Sequence, residues 1–273
     1  MKTIAFLNNK GGVGKTASVS NLAHIFVTQH NKKVLLVDMD PQGNTSNLYS
    51  DIDFFSIFQG ILKQTLEKKE YLIDDLLLNT DLDPHQCIKK TAYNNLDLIP
   101  SFQTLAETEE LLKADVRTPQ QFKLKQQLNK LDSEYDYCLI DCSPSVSILN
   151  INALVASSEV YMPTRCDGGS LVGIAMTINL IRTVQSYNLN LKAAGCFFTQ
   201  WQGRKNVSQT VYNLLESIPE VKLLPITIGI SKYLEENTLQ QLPLLEVDTG
   251  KNKSSATKGY LRLAEYILCG KGY

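Results

Sequence analysis

The sequence lacks a large excess of either charge, a long apolar run and a signal peptide. Its 27 Lys and Arg residues face 28 Asp and Glu residues, which argues against a globally basic DNA-binding protein but leaves room for a local basic patch. No apolar run approaches the roughly 18–20 residues that span a membrane, and no targeting segment precedes the first apolar run. We therefore expect no membrane partner and a cytoplasmic location.

Paired cysteine motifs are also missing. The six cysteines form no C-x-x-C pair, and several lie inside apolar runs, as Cys138 does between Tyr137 and Leu139. Such positions are typical of small buried side chains in a reducing compartment. They do not favour a disulfide framework or an iron–sulfur site.

Short apolar runs recur along the chain with helical patterns between them. The strand candidates are residues 3–7, 34–37, 96–99, 137–140, 159–162, 193–198 and 223–226. The runs do not alternate with polar residues, as expected for strands that are buried on both faces. This order predicts an α/β fold with a doubly wound, mostly parallel sheet flanked by helices. Ligands bind such sheets at the carboxyl ends of the strands.

Residues 51–95 are the least sheet-like part of the chain, and we interpret them as a helical excursion within a single domain of residues 1–273. A turn is predicted at residues 81–84. Helices are suggested by Leu62, Leu66, Ile73, Leu76 and Leu77. Residues 254–268 predict a closing helix that packs on the core. A membrane-surface helix is the alternative, but the polar face carries only Lys258 and Arg262 as bases.

A glycine-rich segment follows the first strand candidate. It reads Lys10-Gly11-Gly12-Val13-Gly14-Lys15-Thr16 and leads into a helical pattern near residues 15–30. The backbone N–H groups of such a loop and helix start suit a polyphosphate. Lys15 would then reach the β- and γ-phosphates, and the Thr16 hydroxyl would ligate Mg²⁺. The ordinary P-loop has a glycine where Asn9 stands, and here a second lysine, Lys10, stands at the entrance of the loop.

Acidic residues end two later strand candidates. Asp38 and Asp40 lie in the segment Val37–Asn44, and Asp141 follows residues 137–140. An apolar strand that ends in Asp suits a carboxylate acting on Mg²⁺, but Asp-Pro-Gln-Gly also forms an ordinary turn. Each motif is weak alone. Together with the glycine loop, in this order and at strand ends, they predict phosphoryl transfer.

The three motifs resemble those of the ParA family of partition ATPases, within the deviant Walker A (MinD/ParA) group. Residues 95–101, 195–208 and 244–268 extend the resemblance over essentially the whole chain. The resemblance implies a P-loop NTPase fold of the deviant Walker A type. It also implies an ATPase with weak intrinsic turnover, with ATP and Mg²⁺ as cofactors.

The resemblance also implies roles for individual residues. Asp40 would orient or activate the attacking water, and Lys10 would reach across a dimer interface to the phosphates of the second subunit. Asp38 would support either the metal or the loop, and Asp141 would act on Mg²⁺ through water. The catalytic residues are thus Lys10, Lys15 and Asp40, and the metal residues are Thr16, Asp38 and Asp141. The nucleotide contacts are Lys10, Gly11, Gly12, Val13, Gly14, Lys15, Thr16 and Ala17.

The resemblance implies the partners of a protein that segregates plasmids or chromosomes. They are a second copy of the chain on ATP binding, nonspecific DNA on the nucleoid, and a ParB-like centromere-binding protein that stimulates hydrolysis. Of the family's DNA contacts, Arg204 carries over, and Lys205 and Lys232 are further candidates for DNA contacts as part of a substitute patch. Many relatives have arginines at the positions that we matched to Ile226 and Gly229, so the prediction of DNA binding is weakened. Other lysines that could supply a substitute patch are Lys222, Lys251 and Lys253.

Three other functions stay open at this point. A MinD-like or other cargo-positioning ATPase would not bind DNA, and the MinD-like form predicts a basic amphipathic tail that residues 268–273 do not match. An electron-transfer ATPase resembling nitrogenase iron protein needs paired cysteines at an interface, which these cysteines fit poorly. A regulator of another cargo, such as a conjugative element or secretion machine, is compatible with the motifs.

Overall fold

A computed structural model describes residues 1–51, 54–63, 70–115 and 118–270. In this part of the chain, eight strands form one sheet. The strands are β1 (Lys2–Phe6), β2 (Val34–Met39), β3 (Lys89–Lys90), β4 (Leu96–Ile99), β5 (Tyr137–Cys142), β6 (Glu159–Thr164), β7 (Lys192–Trp201) and β8 (Leu223–Gly229).

Helices cover both faces of the sheet. They are α1 (Lys15–His30), α2 (Asn44–Leu48), α3 (Phe54–Leu62), α4 (Ile73–Leu78), α5 (Leu105–Ala114), α6 (Lys123–Asn129), α7 (Ile148–Ala156), α8 (Gly168–Val184), α9 (Asn206–Glu216), α10 (Tyr233–Gln240), α11 (Leu244–Val247) and α12 (Ser255–Cys269). Short 3₁₀ turns lie at Pro84–Cys87 and Gln120–Phe122.

The strand order is β3-β4-β2-β5-β1-β6-β7-β8, which confirms the doubly wound, mostly parallel sheet. The pairing is parallel except between β3 and β4. Strand β1 lies between β5 and β6. Strands β2 to β5 lie on one side of β1 and strands β6 to β8 on the other, so the order of the strands changes side at β1. A crevice forms at such a change of side, outside the carboxyl ends of the strands. The loop after β1 opens into that crevice.

Strand β1 shows why its apolar run is continuous. Ile4 and Phe6 belong to one core cluster, whereas Ala5 and Leu7 belong to the other. All four side chains are fully buried, because side chains alternate between the two faces of a strand and helices cover both faces here.

The strand candidates of the sequence all correspond to strands of the sheet, but their ends differ. Strands β2, β5 and β6 each continue two residues beyond the apolar run that predicted them. Asp38 and Asp141 therefore lie inside paired strand ends, where they are register partners. Strand β3 was not predicted because two lysines carry no apolar pattern.

The segment 51–95 contains α3, α4, one 3₁₀ turn and β3 in its described part. Ile73, Leu76 and Leu77 of α4 are fully buried in the same core cluster as Ala5. Leu62 instead is 69% exposed, and Leu66 lies outside the described residues. The contacts of α4 support a single domain of residues 1–273, which stays a prediction.

The closing helix α12 packs on α1 and β8. Its buried residues include Tyr260, Leu263, Ala264 and Ile267. The structure therefore confirms core packing of this helix over the membrane-surface alternative. No helix in the described part of the chain has the length and apolarity to cross a membrane. The cysteines in that part are free thiols, and Cys138 is buried as expected.

Candidate active site

The glycine loop connects β1 to α1, and its backbone conformation explains two of its glycines. Gly12 and Gly14 have φ angles of 72° and 84°, in the left-handed region that side chains disfavour. A Cβ on Gly14 would also stand 3.4 Å from Thr199 Cγ2. Thr199 at the end of β7 in turn donates a hydrogen bond of 2.8 Å to the Val13 carbonyl. The loop is thus held in a fixed curve against β7.

The N-terminus of α1 is built for a negative charge. Its N-cap is Gly14, which offers no side-chain hydrogen bond, and no acidic residue lies in the first turn. The free N–H groups and the positive end of the helix dipole therefore point into the loop. Such a terminus binds phosphate or another anion.

Lys15 adds a buried cation at the same place. Only 6% of the residue is exposed, and its Nζ donates to the carbonyl oxygens of Asn8 at 3.0 Å and Lys10 at 2.9 Å. Burial lowers the pKa of Lys15, while nearby groups, Asp141 first among them, act in the opposite direction. The ammonium is thus held at the loop by two backbone oxygens.

Asp141 lies at the end of β5, and one of its two carboxylate oxygens has no hydrogen-bond partner. Thr45 donates a hydrogen bond of 2.7 Å to Oδ2, whereas Oδ1 is buried without a hydrogen-bond partner. Burial raises the pKa of Asp141, and the Thr45 and Thr16 hydroxyls act in the opposite direction. Buried polar atoms without partners are rare and indicate a missing water, ion or ligand. A carboxylate oxygen beside the Thr16 hydroxyl is the oxygen-rich setting that Mg²⁺ prefers.

Asp38 is fully buried and its oxygens are already used. Oδ2 accepts from the backbone N–H of Ser46 at 2.9 Å and from its hydroxyl at 2.7 Å, and Oδ1 accepts from the Asp40 N–H at 3.1 Å. Burial, followed by the charge of Asp141, raises the pKa of Asp38. Of its two implied roles, the contacts favour support of the loop over support of the metal.

Asp40 stands in the turn that leaves β2. Its Oδ1 accepts from the Gln42 N–H at 3.0 Å, and its carbonyl accepts from the Ser101 hydroxyl at 2.8 Å. The carboxylate is nearly buried and lines the same cavity as Lys15 and Thr16. It therefore faces the space in which a phosphate on the loop would lie.

That cavity has a volume of about 560 Å³, within the range of small-molecule sites. It is lined by Gly11, Gly12, Gly14, Lys15, Thr16, Ala17 and Asp40, and also by Asn237, Thr238 and Gln241 of the α10 region. Its volume leaves room for an organic group in addition to a phosphate chain at the loop.

A larger cavity of about 720 Å³ opens at the opposite edge of the sheet, before β2, β4 and β5. It is lined by residues such as Lys33, Tyr93 and Glu134. No glycine loop or helix N-terminus faces it within the described residues. We assign the chemistry to the smaller cavity for that reason.

Comparisons with known proteins agree with this geometry. Residues 1–193 match the protein family described as AAA domain. The chain is 35% identical over 269 residues to the sporulation initiation inhibitor protein Soj of Bacillus subtilis, covering 97% of this chain and 98% of that protein. It is 32% identical over 273 residues to the chromosome-partitioning ATPase Soj of Treponema pallidum, covering 99% and 98%. The chain belongs to the ParA/Soj family of partition ATPases.

The fold of this ParA/Soj chain is shared with solved structures over its whole length. One is the cobyrinic acid a,c-diamide synthase from Mycobacterium smegmatis with bound ADP and magnesium. It is 26% identical and superposes with a TM-score of 0.78, covering 100% of this chain and 97% of that chain. The P-loop fold expected from the sequence is thereby confirmed.

Lys10, the lysine by which the sequence resembles this family, does not turn into its own cavity. Its Nζ forms an ion pair with Asp167, the residue before α8. Lys10 nevertheless shapes the loop, because its carbonyl accepts from Lys15. The structure thus brings Gly11, Gly12, Gly14, Lys15, Thr16 and Ala17 together around the cavity. The Lys10 side chain and the fully buried Val13 do not line it.

The predicted DNA residues of this ParA/Soj chain lie at the same edge of the sheet as the loop. Arg204 and Lys205 are exposed before α9, which follows the carboxyl end of β7. Lys232 is exposed before α10, which follows the carboxyl end of β8. Lys232 is partly engaged, since its Nζ lies 3.9 Å from Glu236 Oε1 and 5.0 Å from the Tyr233 ring centroid.

Ile226 and Gly229 are both buried in this chain. Ile226 is 5% exposed in the core, and a Cβ on Gly229 would stand 2.1 Å from Ser255 Oγ. Neither residue is exposed for a DNA contact here, and weakened DNA binding at these positions stays a prediction. The substitute patch is also divided, because Lys222 precedes β8 whereas Lys232 follows it.

Three residues of the site were missed by sequence reasoning. Thr45 and Ser46 of α2 bind the carboxylates of Asp141 and Asp38, and Thr199 holds the loop. Thr45 and Ser46 could have been predicted, because their hydroxyls follow the acidic turn and Gly43 at the start of a helix. Thr199 could not have been predicted from a local pattern, because its contact with the loop depends on the order of strands in the sheet.

Proposed function

We propose that this ParA/Soj chain is a DNA-partition ATPase whose ATP-bound homodimer binds nonspecific DNA. A ParB-like centromere-binding partner stimulates its hydrolysis of ATP. The observation that carries the proposal is the cavity lined by the start of α1, Lys15, Thr16 and Asp40. Beside Thr16 lies the fully buried Asp141, whose Oδ1 has no hydrogen-bond partner. This cavity offers cationic and N–H groups to phosphates, and oxygen ligands to a cation.

Thr16 and Asp141 would hold Mg²⁺ in this site. Among the described residues, no group of three or more His, Cys, Asp and Glu side chains is arranged to hold a metal ion. A cation at Asp141 thus needs further oxygens from water or from nucleotide phosphates, as is usual for Mg²⁺. When bound, the ion would neutralise phosphate charge as it develops.

Asp40 would orient or activate the water that attacks the γ-phosphate. Its carbonyl is tied to Ser101 and its N–H to Asp38, which fixes the backbone from which the carboxylate projects. A fixed carboxylate at the cavity wall holds a water without further ordering. Gly11, Gly12, Val13, Gly14, Lys15 and Ala17 would bind the phosphate chain around it.

Lys10 would act across the dimer, on the phosphates of a second copy. One cation of the site would then arrive only with the partner, which couples charge stabilisation to association. The part-exposed Lys10 side chain supports this proposal, because it extends along α8 rather than into its own cavity.

DNA would be held through phosphates by Arg204, Lys205 and Lys232. Their shared position at the carboxyl ends of β7 and β8 places them on one edge of the chain. Binding of this kind weakens steeply with salt and is insensitive to sequence. A near-neutral chain needs two copies side by side to present enough basic groups, so binding should require ATP.

The test is a fluorescence-anisotropy titration of a random DNA duplex with ATP, with ADP and without nucleotide, over a range of salt. Tight binding with ATP alone supports the proposal. A chain carrying Arg204→Gln and Lys205→Gln should bind more weakly, with the salt slope reduced by about one for each lost phosphate contact. Lys222→Gln is the matched control, because Lys222 is exposed at the opposite end of β8.

Absence of DNA binding at every salt concentration, with the ATP-dependent dimer intact, would refute the DNA part. It would favour an ATPase that positions another cargo. A loss for Lys222→Gln that equals half the loss of the double variant, which removes two charges, would show that only overall charge matters.

A further inference from the structure

The ion pair between Lys10 and Asp167 joins the glycine loop to the start of α8. Lys10 Nζ donates to Asp167 Oδ1, and the two side chains are 31% and 36% exposed. Arg165 Nε lies 3.9 Å from Oδ2, the other oxygen of the same carboxylate. Lys10 is therefore held by a charged group of its own chain.

Two glycines of α8 make room for this arrangement. A Cβ on Gly169 would stand 3.2 Å from Lys10 Nζ, and a Cβ on Gly173 would stand 2.3 Å from Asn8 Oδ1. Asn8 donates to the Pro163 carbonyl at 2.9 Å, and the Asn9 N–H donates to Thr177 Oγ1 at 3.2 Å. The entrance of the loop thus lies flat on α8, with Lys10 directed to the helix start.

We propose that Asp167 is a positioning residue that holds Lys10 within its own subunit and releases it when the ATP-bound dimer forms. The inference rests on the proposed function, in which Lys10 binds the phosphates of a second copy. A carboxylate at hydrogen-bond distance from Lys10 would stand close to those phosphates, where like charges repel. The two partners of Lys10 are consequently alternatives, and the ion pair opposes dimer formation.

Asp167 has a second task that can be separated from the first. It is the N-cap of α8, and its side chain accepts from the Ser170 N–H at 2.9 Å. Asparagine is as good an N-cap as aspartate, but it carries no charge. Asp167→Asn thus keeps the helix start and weakens the hold on Lys10.

The experiment compares dimer formation with ATP by sedimentation equilibrium, in full-length Asp40→Ala chains that should not turn over. Surface ion pairs are usually worth a few-fold in an equilibrium, and a symmetric dimer releases two of them. We expect Asp167→Asn to tighten the dimer by about 2- to 30-fold. The gain should shrink at high salt, which screens exposed charges. Arg182→Gln is the matched control, because it removes the ion pair with Glu220 at the other end of α8.

A second measurement follows Lys10 in the nucleotide-free chain. Its rate of acetylation, read by mass spectrometry, should rise in Asp167→Asn because the ammonium loses its charged partner. The rates at Lys192 and Lys222 serve as internal references. A purely structural effect of the substitution would not single out Lys10.

The outcomes separate the two proposals. A reference chain that dimerises with ATP, together with an equal or weaker dimer for Asp167→Asn, overturns the inference and leaves the proposed function intact. An unchanged Lys10 acetylation rate also overturns the inference. No dimer in either chain overturns the proposed function and the inference with it.

Discussion

Single alanine substitutions in the glycine loop should separate backbone strain from the space needed by phosphates. A Cβ on Gly11 would have no neighbour within 4 Å, and its φ lies outside the left-handed region. Gly14 has a φ of 84° and stands against Thr199. Both residues line the cavity of the active site. Alanine should therefore destabilise the nucleotide-free protein at Gly14 but not at Gly11, whereas it should weaken nucleotide binding at both positions.

The magnitudes follow from these surroundings. A side chain in the left-handed region costs about 1–2 kcal/mol, so Gly14→Ala should lower the free energy of unfolding by that amount. One kcal/mol moves the Tm of a domain of this size by about 2–4 °C, which gives a drop of about 2–8 °C. Gly11→Ala should stay within about 0.5 kcal/mol of the parent. Its methyl group would crowd bound phosphates, and overpacking costs roughly 1–3 kcal/mol, a loss of about fivefold or more in ATP affinity.

The assay pairs thermal unfolding without nucleotide, followed by circular dichroism, with ATP binding by calorimetry. Gly11→Ala should melt with the parent and bind ATP weakly, whereas Gly14→Ala should fail in both measurements. If Gly11→Ala melted as low as Gly14→Ala, or bound ATP like the parent, the assignment of strain and space in this loop would be refuted.

Four further substitutions test other groups. Lys15→Ala should abolish ATP binding in calorimetry because the buried cation is lost; affinity within tenfold of the parent would contradict this. Lys10→Ala should bind ATP but form no dimer, and normal sedimentation would remove its role across the interface. Asp40→Ala should keep the ATP dimer and lose phosphate release; unchanged turnover would take Asp40 out of the mechanism. Burial, against the opposing effect of Glu246, lowers the pKa of His24 from 6.5. The unfolded chain therefore gains that proton first, and stability should fall as the pH drops below about 6.5. His24→Gln should flatten this slope in pH-dependent denaturation, and parallel profiles would disprove it.

All strands except β3 were predictable because burial on both faces leaves a short, continuous apolar run. Helix α1 was predictable from the glycine that precedes it and from its apolar spacing. The segment 51–95 was harder, since Leu62 and Leu76 give similar patterns but only Leu76 is buried. Whether an apolar helix face is covered depends on distant elements, which a local pattern does not contain.

The residues of the site were predictable where the sequence motif fixes the local geometry, as it does for Gly14, Lys15 and Thr16. Which residues are exposed and which are buried could not be predicted in this way, because exposure depends on strand register. Ile226 and Gly229 were matched by sequence to arginines of relatives, but in this chain both are buried in β8, which packs on α12. In the same way, the sequence placed both Asp38 and Asp40 at the end of the second strand, yet of these two only Asp40 lines the cavity.

The hydrogen bonds of the acidic residues link β2 and β5 to helix α2. Asp38 and Asp141 are register partners on β2 and β5, and both are tied to α2 through Ser46 and Thr45. Helix α2 begins just after the turn that carries Asp40. Under the proposed function, a shift of Asp141 toward Mg²⁺ would thus pull on Thr45 and move the turn that holds Asp40. Cation binding and water positioning would then be coupled within one chain, whereas the contribution of Lys10 would require a second copy.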